Sequence, residues 1–166
     1  MKKLFLLSIL FIFLLSGCNG IYNLNYFTLP DDAEFLALIQ ELDTPEKIGT
    51  YMLDSFTYET NLILLNPYQL FVTKNGNCDD FSLFITYIAH RHNYETYQIL
   101  IEFPLGKYHM IGVFKEGNYY NISENTLYIE CFCNNFKEIM NFYLYRDWIS
   151  YIVYDYNMKI IEQATK

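Results

Sequence analysis

Apolar and polar positions follow two different periods along the chain. In the first half, apolar residues recur at three- and four-residue spacing, which predicts amphipathic helices; these segments begin near Asp31, Thr44, Asn66 and Cys78. In the second half, short alternating or fully apolar runs predict strands; they cover residues 97–103, 108–114, 118–122, 126–133 and 148–156, with one more helix from Asn135 through Tyr143 and a polar tail. Helices followed by an antiparallel sheet predict an α+β fold.

The first 18 residues have a different character and resemble a bacterial lipoprotein signal. Lys2 and Lys3 precede an apolar run over residues 4–15, and Ser16 and Gly17 then lead to Cys18. A run of this length is short for a membrane-spanning helix, which needs about 20 residues. The resemblance implies that residues 1–17 are removed and that Cys18 carries a lipid holding the protein on the extracytoplasmic side of a membrane. The alternatives are an ordinary secretory signal or a short anchor.

Charge and length restrict the class of protein. Without residues 1–17 the chain has 149 residues (166 − 17), enough for a single domain over residues 31–166 after a tether over residues 18–30. It then carries 9 basic residues (11 less Lys2 and Lys3) against 19 acidic ones. This acidic balance argues against a nucleic-acid partner and against electrostatic binding to anionic lipid. Any membrane attachment is therefore expected to depend on the lipid.

A cysteine stands at the predicted start of the most apolar helix. A turn containing Gly76 ends at Cys78, and Asp79 and Asp80 follow in the first helical turn. The unpaired N–H groups and the dipole at a helix N-terminus favour a thiolate, which is the nucleophilic form of cysteine. The alternative is a small buried apolar residue that happens to begin a helix. The apolar face of this helix consists of Phe81, Phe84, Ile85 and Ile88.

The order of motifs around this cysteine resembles the transglutaminase-like family of papain-type cysteine enzymes. The motifs are Gly76-Asn77-Cys78-Asp79-Asp80-Phe81-Ser82, then Tyr108-His109-Met110 at a strand start, and a hairpin that reaches Asn121, within residues 44–125. The resemblance implies a papain-like fold, with the nucleophile helix packed on an antiparallel sheet. It also implies that Cys78 is the nucleophile, His109 the base and Asn121 the residue that orients the imidazole. Asn77 and Ile122 depart from the family pattern, which often has Asp and Pro there.

The choice of base follows from distance along the helix. His90 and His92 share the predicted helix of Cys78 and would lie about 18 to 21 Å from it at ~1.5 Å per residue. A base must come within hydrogen-bonding reach of the thiol. His109 is therefore the candidate base, and its alternative role is that of a histidine hydrogen-bonded within the sheet.

The orienting residue has two candidates. Asn121 matches the family position, but an amide cannot neutralise an imidazolium as a carboxylate does. A simple hairpin register that pairs Lys115 with Asn118 places Glu124 opposite His109 and leaves Asn121 three positions away. Glu124 is therefore the alternative orienter, and Asn121 is otherwise a turn residue at a strand end.

Two further cysteines lie at i, i+2 spacing in a predicted strand. Cys131 and Cys133 should face the same side, as two buried apolar residues, as a strained disulfide or as two of several metal ligands. No other Cys-x-Cys or His pair supplies the missing ligands, so no metal and no cofactor is predicted.

These residues predict acyl transfer from an amide of a protein or peptide substrate. Cys78 attacks, His109 carries the proton, and the oxyanion is met by the backbone N–H of Cys78 and, by analogy with papain-type enzymes, by Gln69. Water as the acceptor gives a peptidase or amidase, which is the first expectation; a lysine amine gives a cross-linking transferase. The competing hypothesis is a surface lipoprotein that uses the same fold as a non-catalytic binding module.

Overall fold

The structure is a computed structural model that describes residues 27–142 and 147–166. In these ranges the helices are α1 (Ala33–Glu41), α2 (Pro45–Ser55), α3 (Pro67–Thr73), α4 (Cys78–Arg91) and α5 (Phe136–Asn141). The strands are β1 (Thr57–Tyr58), β2 (Asn75–Gly76), β3 (Glu95–Phe103), β4 (Lys107–Glu116), β5 (Tyr119–Glu124), β6 (Leu127–Cys133), β7 (Ser150–Asp155) and β8 (Ile160–Thr165). The predicted signal segment, Cys18 and Tyr143 lie outside the described residues. None of the described helices has the length and apolarity needed to cross a membrane.

The first three helices begin at the cap residues that the sequence indicates. Asp32 accepts a hydrogen bond from the backbone N–H of the third helical residue of α1, Thr44 does the same in α2, and Asn66 in α3. Each cap supplies an acceptor to a backbone donor that has no partner within its helix. These predicted helix starts are confirmed.

One antiparallel sheet carries the rest of the fold. Six strands lie in the order β6-β5-β4-β3-β7-β8, and α4 packs on β4 and β3. The helix lies close to the sheet because Gly112 has no side chain: a Cβ there would be 3.1 Å from Ile85. A first apolar cluster joins helices α1 to α4 to the sheet, and a second joins the strands to α5 and Trp148. The predicted α+β, papain-like architecture is confirmed.

Helix α2 approaches β6 closely at Gly49. A Cβ on Gly49 would lie 2.9 Å from the Cβ of Tyr128 and 3.1 Å from its backbone nitrogen. Only a residue without a side chain fits between these two elements at this separation.

The β4–β5 hairpin has a register different from the predicted one. Glu116 pairs with Tyr119 across a two-residue turn in which Gly117 has a φ of +65°. The simple register, which pairs Lys115 with Asn118, is therefore wrong by two residues. Two residues are one full side-chain period of a strand, so each side chain keeps its face of the sheet but moves along it.

The sequence analysis predicts no strand in the polar tail after residue 156, whereas residues 160–165 form β8. This strand pairs with β7 and is the edge of the sheet, and both of its isoleucines are largely exposed.

Candidate active site

Helix α4 begins at Cys78, and its N-terminus is closed by a reciprocal cap. Asn77 Oδ1 accepts hydrogen bonds from the backbone N–H groups of Asp79 (3.0 Å) and Asp80 (3.3 Å). Asp80 Oδ2 accepts one from the backbone N–H of Asn77 at 2.9 Å. The thiol therefore stands on the first residue of a 14-residue helix, where the helix dipole favours negative charge.

Asp80 does more than cap the helix. Its side chain is buried, and it accepts hydrogen bonds from Asn61 Nδ2 and from the backbone N–H of Leu65, each at 2.7 Å. With the bond from Asn77, three donors converge on one carboxylate, which ties the loop over residues 59–65 to the nucleophile helix. The sequence contained the signal for the cap, since Asn77 and Asp80 have the spacing of a capping box.

A short parallel pair of strands fixes the chain before Cys78. The backbone N–H of Thr57 donates to Lys74, and that of Glu59 donates to Gly76. Tyr58 lies between them and close to the thiol: burial first, and then the negative charges of Cys78 and Asp79, raise the pKa of its hydroxyl. Sequence reasoning missed Tyr58, because nothing in its local pattern indicates proximity to residue 78.

His109 lies between the thiol and a carboxylate. Its Nε2 is 2.7 Å from Glu124 Oε1, and both side chains are about one-fifth exposed (20% and 21%). At this separation the two groups form an ion pair when the imidazole is protonated. Burial lowers the pKa of His109, but the hydrogen bond with Cys78 and the contact with Glu124 outweigh it and raise the pKa to about 9. The structure thus brings Cys78, His109 and Glu124 together.

Asp79 adds a second carboxyl group beside the thiol. Its Oδ1 accepts a hydrogen bond from Cys78 Sγ at 3.3 Å. Burial raises the pKa of Asp79; the hydrogen bond from Cys78 lowers it, and the charge of Asp80 raises it again. One carboxyl group, Asp79, therefore contacts the thiol and another, Glu124, contacts the imidazole.

Asn121 is not near His109. It pairs with Phe114, five residues beyond His109 on β4, a separation of roughly 17 Å at ~3.3 Å per residue. The simple register already placed Asn121 three positions from His109, and the observed register moves it two positions further along β4, while the Glu124 side chain still reaches His109. The residue that meets the imidazole is thus the alternative orienter of the sequence analysis and not Asn121.

The contacts of Asn121 give it a structural role. It is buried, its Nδ2 donates to Glu116 Oε2 (2.8 Å) and to the Tyr128 hydroxyl (3.1 Å), and its Oδ1 accepts from the backbone N–H of Phe132 at 3.1 Å. Both N–H donors and the carbonyl oxygen of the amide group are therefore bonded to β4 and β6.

Gln69 is not at the site either. Its Oε1 accepts from the backbone N–H of Asn66 at 2.9 Å, and its own backbone N–H donates to Asn66 Oδ1, which closes the start of α3. The exposed side chain is thereby occupied in a helix cap. The backbone N–H of Cys78, at the first position of a helix, remains an available oxyanion donor.

The other histidines and cysteines lie elsewhere. His90 stacks on Tyr156, and His92 Nε2 is 2.6 Å from the backbone oxygen of Ile39, both at the far end of α4. Cys131 and Cys133 are free thiols in β6. Over residues 27–142 and 147–166, no three His, Cys, Asp or Glu side chains are grouped as a metal site requires.

Comparisons with known proteins place the fold. No protein-family model matches the sequence, and no curated protein matches it. One solved structure, EGTA-treated LapG from Legionella pneumophila, superposes with a TM-score of 0.50 at 14% identity and covers 72% of each chain. Another structure of LapG from Legionella pneumophila gives 0.45 at 17% identity, covering 56% of this chain and 62% of that one. A proposed cysteine protease from Cytophaga hutchinsonii gives 0.45 at 10% identity, covering 84% and 58%.

These similarities concern the fold. The chain has the transglutaminase-like, papain-type fold that its motifs indicate. It spans less than two thirds of the length of two of the three structures.

Proposed function

We propose that this protein is a cysteine enzyme that acts on amide bonds of a protein or peptide substrate. The observation that carries the proposal is the position of His109, which is 2.7 Å from Glu124 and has its pKa raised by its interactions with both Cys78 and Glu124. A nucleophile, a base in contact with it and a group that orients the base are the parts that covalent acyl transfer needs.

The chemistry follows from these contacts. Cys78 Sγ attacks the carbonyl carbon of the amide while His109 holds the proton taken from the thiol. Because Nε2 faces Glu124, Nδ1 is the ring nitrogen that exchanges this proton. His109 then donates the proton to the leaving amine, and a thioester remains on Cys78. Water resolves the thioester in a peptidase or amidase; an amine resolves it in a transferase.

The surrounding groups support the same steps. The carboxylate of Glu124 neutralises the imidazolium, which the amide of Asn121 could not do. The backbone N–H of Cys78, at the N-terminus of α4, meets the oxyanion.

The place of action is part of the proposal. Residues 1–17 would be removed and Cys18 would carry the lipid, so that the domain acts at the cell envelope. Growth with radiolabelled palmitate should label the protein, and Cys18→Ser should abolish the labelling. Labelling that survives Cys18→Ser would exclude this attachment.

Alkylation kinetics test the catalytic proposal. The full chain, purified under reducing conditions, is treated with iodoacetamide over a range of pH, and the tryptic peptide 75–91 reports modification of Cys78. We expect fast alkylation well below pH ~8.5, where a free thiol is half ionised. His109→Ala should move the midpoint to higher pH, and Glu124→Gln should move it in the same direction by less. Asn121→Ala is the matched control and should leave the midpoint unchanged.

The opposite result would be decisive. Alkylation of Cys78 that titrates like free cysteine and is insensitive to His109→Ala would contradict the enzyme proposal. It would favour the non-catalytic binding module, which should keep its partner when Cys78 and His109 are both replaced. Fast alkylation would justify screening peptides against amines, to separate hydrolysis from transfer.

A further inference from the structure

A second pair of thiols lies in β6, away from the proposed catalytic site. Cys133 is buried and Cys131 is partly exposed, and neither forms a disulfide. Cys133 belongs to the apolar cluster between the sheet and α5, and Cys131 packs against the same cluster. The proposed mechanism uses neither residue.

The backbone between the two cysteines is bent. Phe132 has a φ of +49°, in the left-handed region that residues other than glycine rarely adopt. The register of β6 against β5 shifts here: Cys133 pairs with Tyr120, whereas the next pair is Ile122 with Ile129. The segment over residues 130–132 therefore forms a bulge.

Two contacts from β5 hold this bulge. Asn121 Oδ1 accepts from the backbone N–H of Phe132 at 3.1 Å, and Cys131 Sγ donates to the backbone oxygen of Tyr120 at 3.2 Å. The Phe132 side chain is 56% exposed, so the bend is not imposed by burial of its ring. The bend is instead specified by the buried Asn121.

The spacing of the two cysteines is compatible with a disulfide. Cα atoms two residues apart on an extended strand are separated by about 6.6 to 6.8 Å, at the upper end of the ~4.4 to 6.8 Å that a disulfide spans. The strand bends at Phe132, the residue between them, and Cys133 Sγ donates a hydrogen bond to the backbone oxygen of Cys131 at 3.7 Å.

We propose that Cys131 and Cys133 are a redox-active dithiol that exchanges with a disulfide donor to form an intramolecular disulfide. Cys131, the more exposed of the two, attacks one sulfur of the donor as its thiolate and releases the first donor thiolate. Cys133, deprotonated in turn, attacks Cys131 Sγ and releases the second. The donor is reduced to two thiols, which take up the two cysteine protons, and the two cysteines are oxidised to one disulfide.

The environment of Cys133 fits this order of events. Burial, and then the hydrogen bond and charge of Cys131, raise the pKa of Cys133 to about 12. Cys133 therefore stays protonated in the reduced protein and does not compete for the first attack.

The test uses the full chain with Cys78→Ala, incubated with oxidised and reduced glutathione at a series of ratios and trapped with N-ethylmaleimide. Trypsin releases residues 116–137 as one peptide that contains both β6 cysteines. We expect this peptide to become two hydrogens lighter and to lose both alkylation sites as the proportion of oxidised glutathione rises. Cys131→Ser, which leaves one thiol, is the matched control and should prevent this change.

Two results would overturn the proposal. One is a peptide that keeps two alkylated cysteines at every ratio; the other is a peptide that carries glutathione, or a link to a second chain, in place of the internal disulfide. If Cys78→Ala does not fold, the unsubstituted chain gives the same readout, because Cys78 lies on the separate tryptic peptide 75–91.

Discussion

The ion pair at His109 makes folding stability depend on pH in a defined direction. The pKa of this imidazole is raised from 6.5 in the unfolded chain to about 9 in the folded protein. Between these two values the folded state binds a proton that the unfolded state does not bind. The resulting stabilisation is present in full below pH ~6.5 and is lost as the pH rises through ~9.

The size of the effect follows from the size of the shift. One pKa unit corresponds to about 1.4 kcal/mol, so the shift at His109 represents on the order of 3 kcal/mol of folding free energy. Little of this is removed by solvent screening, because only one-fifth of the side chain is exposed. Replacement of His109 by Gln removes the titrating group and with it this part of the pH dependence.

Urea denaturation of the wild-type chain and of His109→Gln, at several values between about pH 6 and pH 9.5, measures the difference. We expect the free energy of unfolding of the wild type to fall by on the order of 3 kcal/mol more than that of the variant over this range. His90→Gln is the matched control: burial lowers the pKa of His90 instead of raising it, so this replacement should leave the fall in stability toward pH 9.5 in place. Parallel curves for wild type and His109→Gln would refute the assignment of a protonated, paired His109.

Two further predictions concern stability. Asp80→Ala leaves three donors without their buried acceptor and should lower the free energy of unfolding, measured by urea denaturation, by roughly 4 kcal/mol. The exposed control Asp54→Ala should lower it by less than ~0.5 kcal/mol. A small effect of Asp80→Ala would show that this carboxylate does not hold the loop over residues 59–65. Gly49→Ala should lower the free energy of unfolding by about 1 to 3 kcal/mol, because the new Cβ would lie 2.9 Å from the Cβ of Tyr128. Alanine favours helices more than glycine does, so a stabilising effect in thermal unfolding would mean that α2 and β6 separate easily.

Features fixed by neighbouring residues could be predicted from the sequence. The starts of α1, α2 and α3 follow from a cap residue and the backbone donor three positions later, and α4 begins at Cys78 for the same reason. The distance of His90 and His92 from Cys78 along α4 excludes them as the base and leaves His109 as the candidate. In the structure His109 interacts with Cys78. In each case the information lies within one helix or in one distance along a helix.

Features that depend on pairing between strands could not be predicted in the same way. The distance of Asn121 from His109 depends on the register of the β4–β5 hairpin. That register is set by which two residues form the turn, and the alternation of side chains does not distinguish a turn at residues 117–118 from one at residues 116–117. A shift of two residues preserves every inside and outside assignment, but it moves Asn121 from three to five positions along β4 from His109, while Glu124 stays in contact with His109. Gln69 is a different case: Asn66 and Gln69 have the spacing of a capping box, so the sequence did contain the signal for its role in a helix cap.

The edge strand β8 shows a related limit. Its sequence is mixed and its side chains are mostly exposed, so it lacks the alternation of a half-buried strand. It is a strand because β7 offers a row of unpaired backbone groups, and that row is a property of the assembled sheet.

The order of strands in the sheet has a consequence for how the protein assembles. Cys78, His109 and Glu124 come from one continuous stretch that ends with β5, whereas β7 and β8 join the sheet later in the sequence, on the opposite side of β3. Contacts between residues near each other in sequence close small loops and form early in folding, while β7 must close a loop of about 50 residues to reach β3. We therefore expect amides of α4, β4 and β5 to gain hydrogen-exchange protection before those of β7 and β8 during refolding. Cys78, His109 and Glu124 would then be close together while the C-terminal hairpin of β7 and β8 is still unpaired.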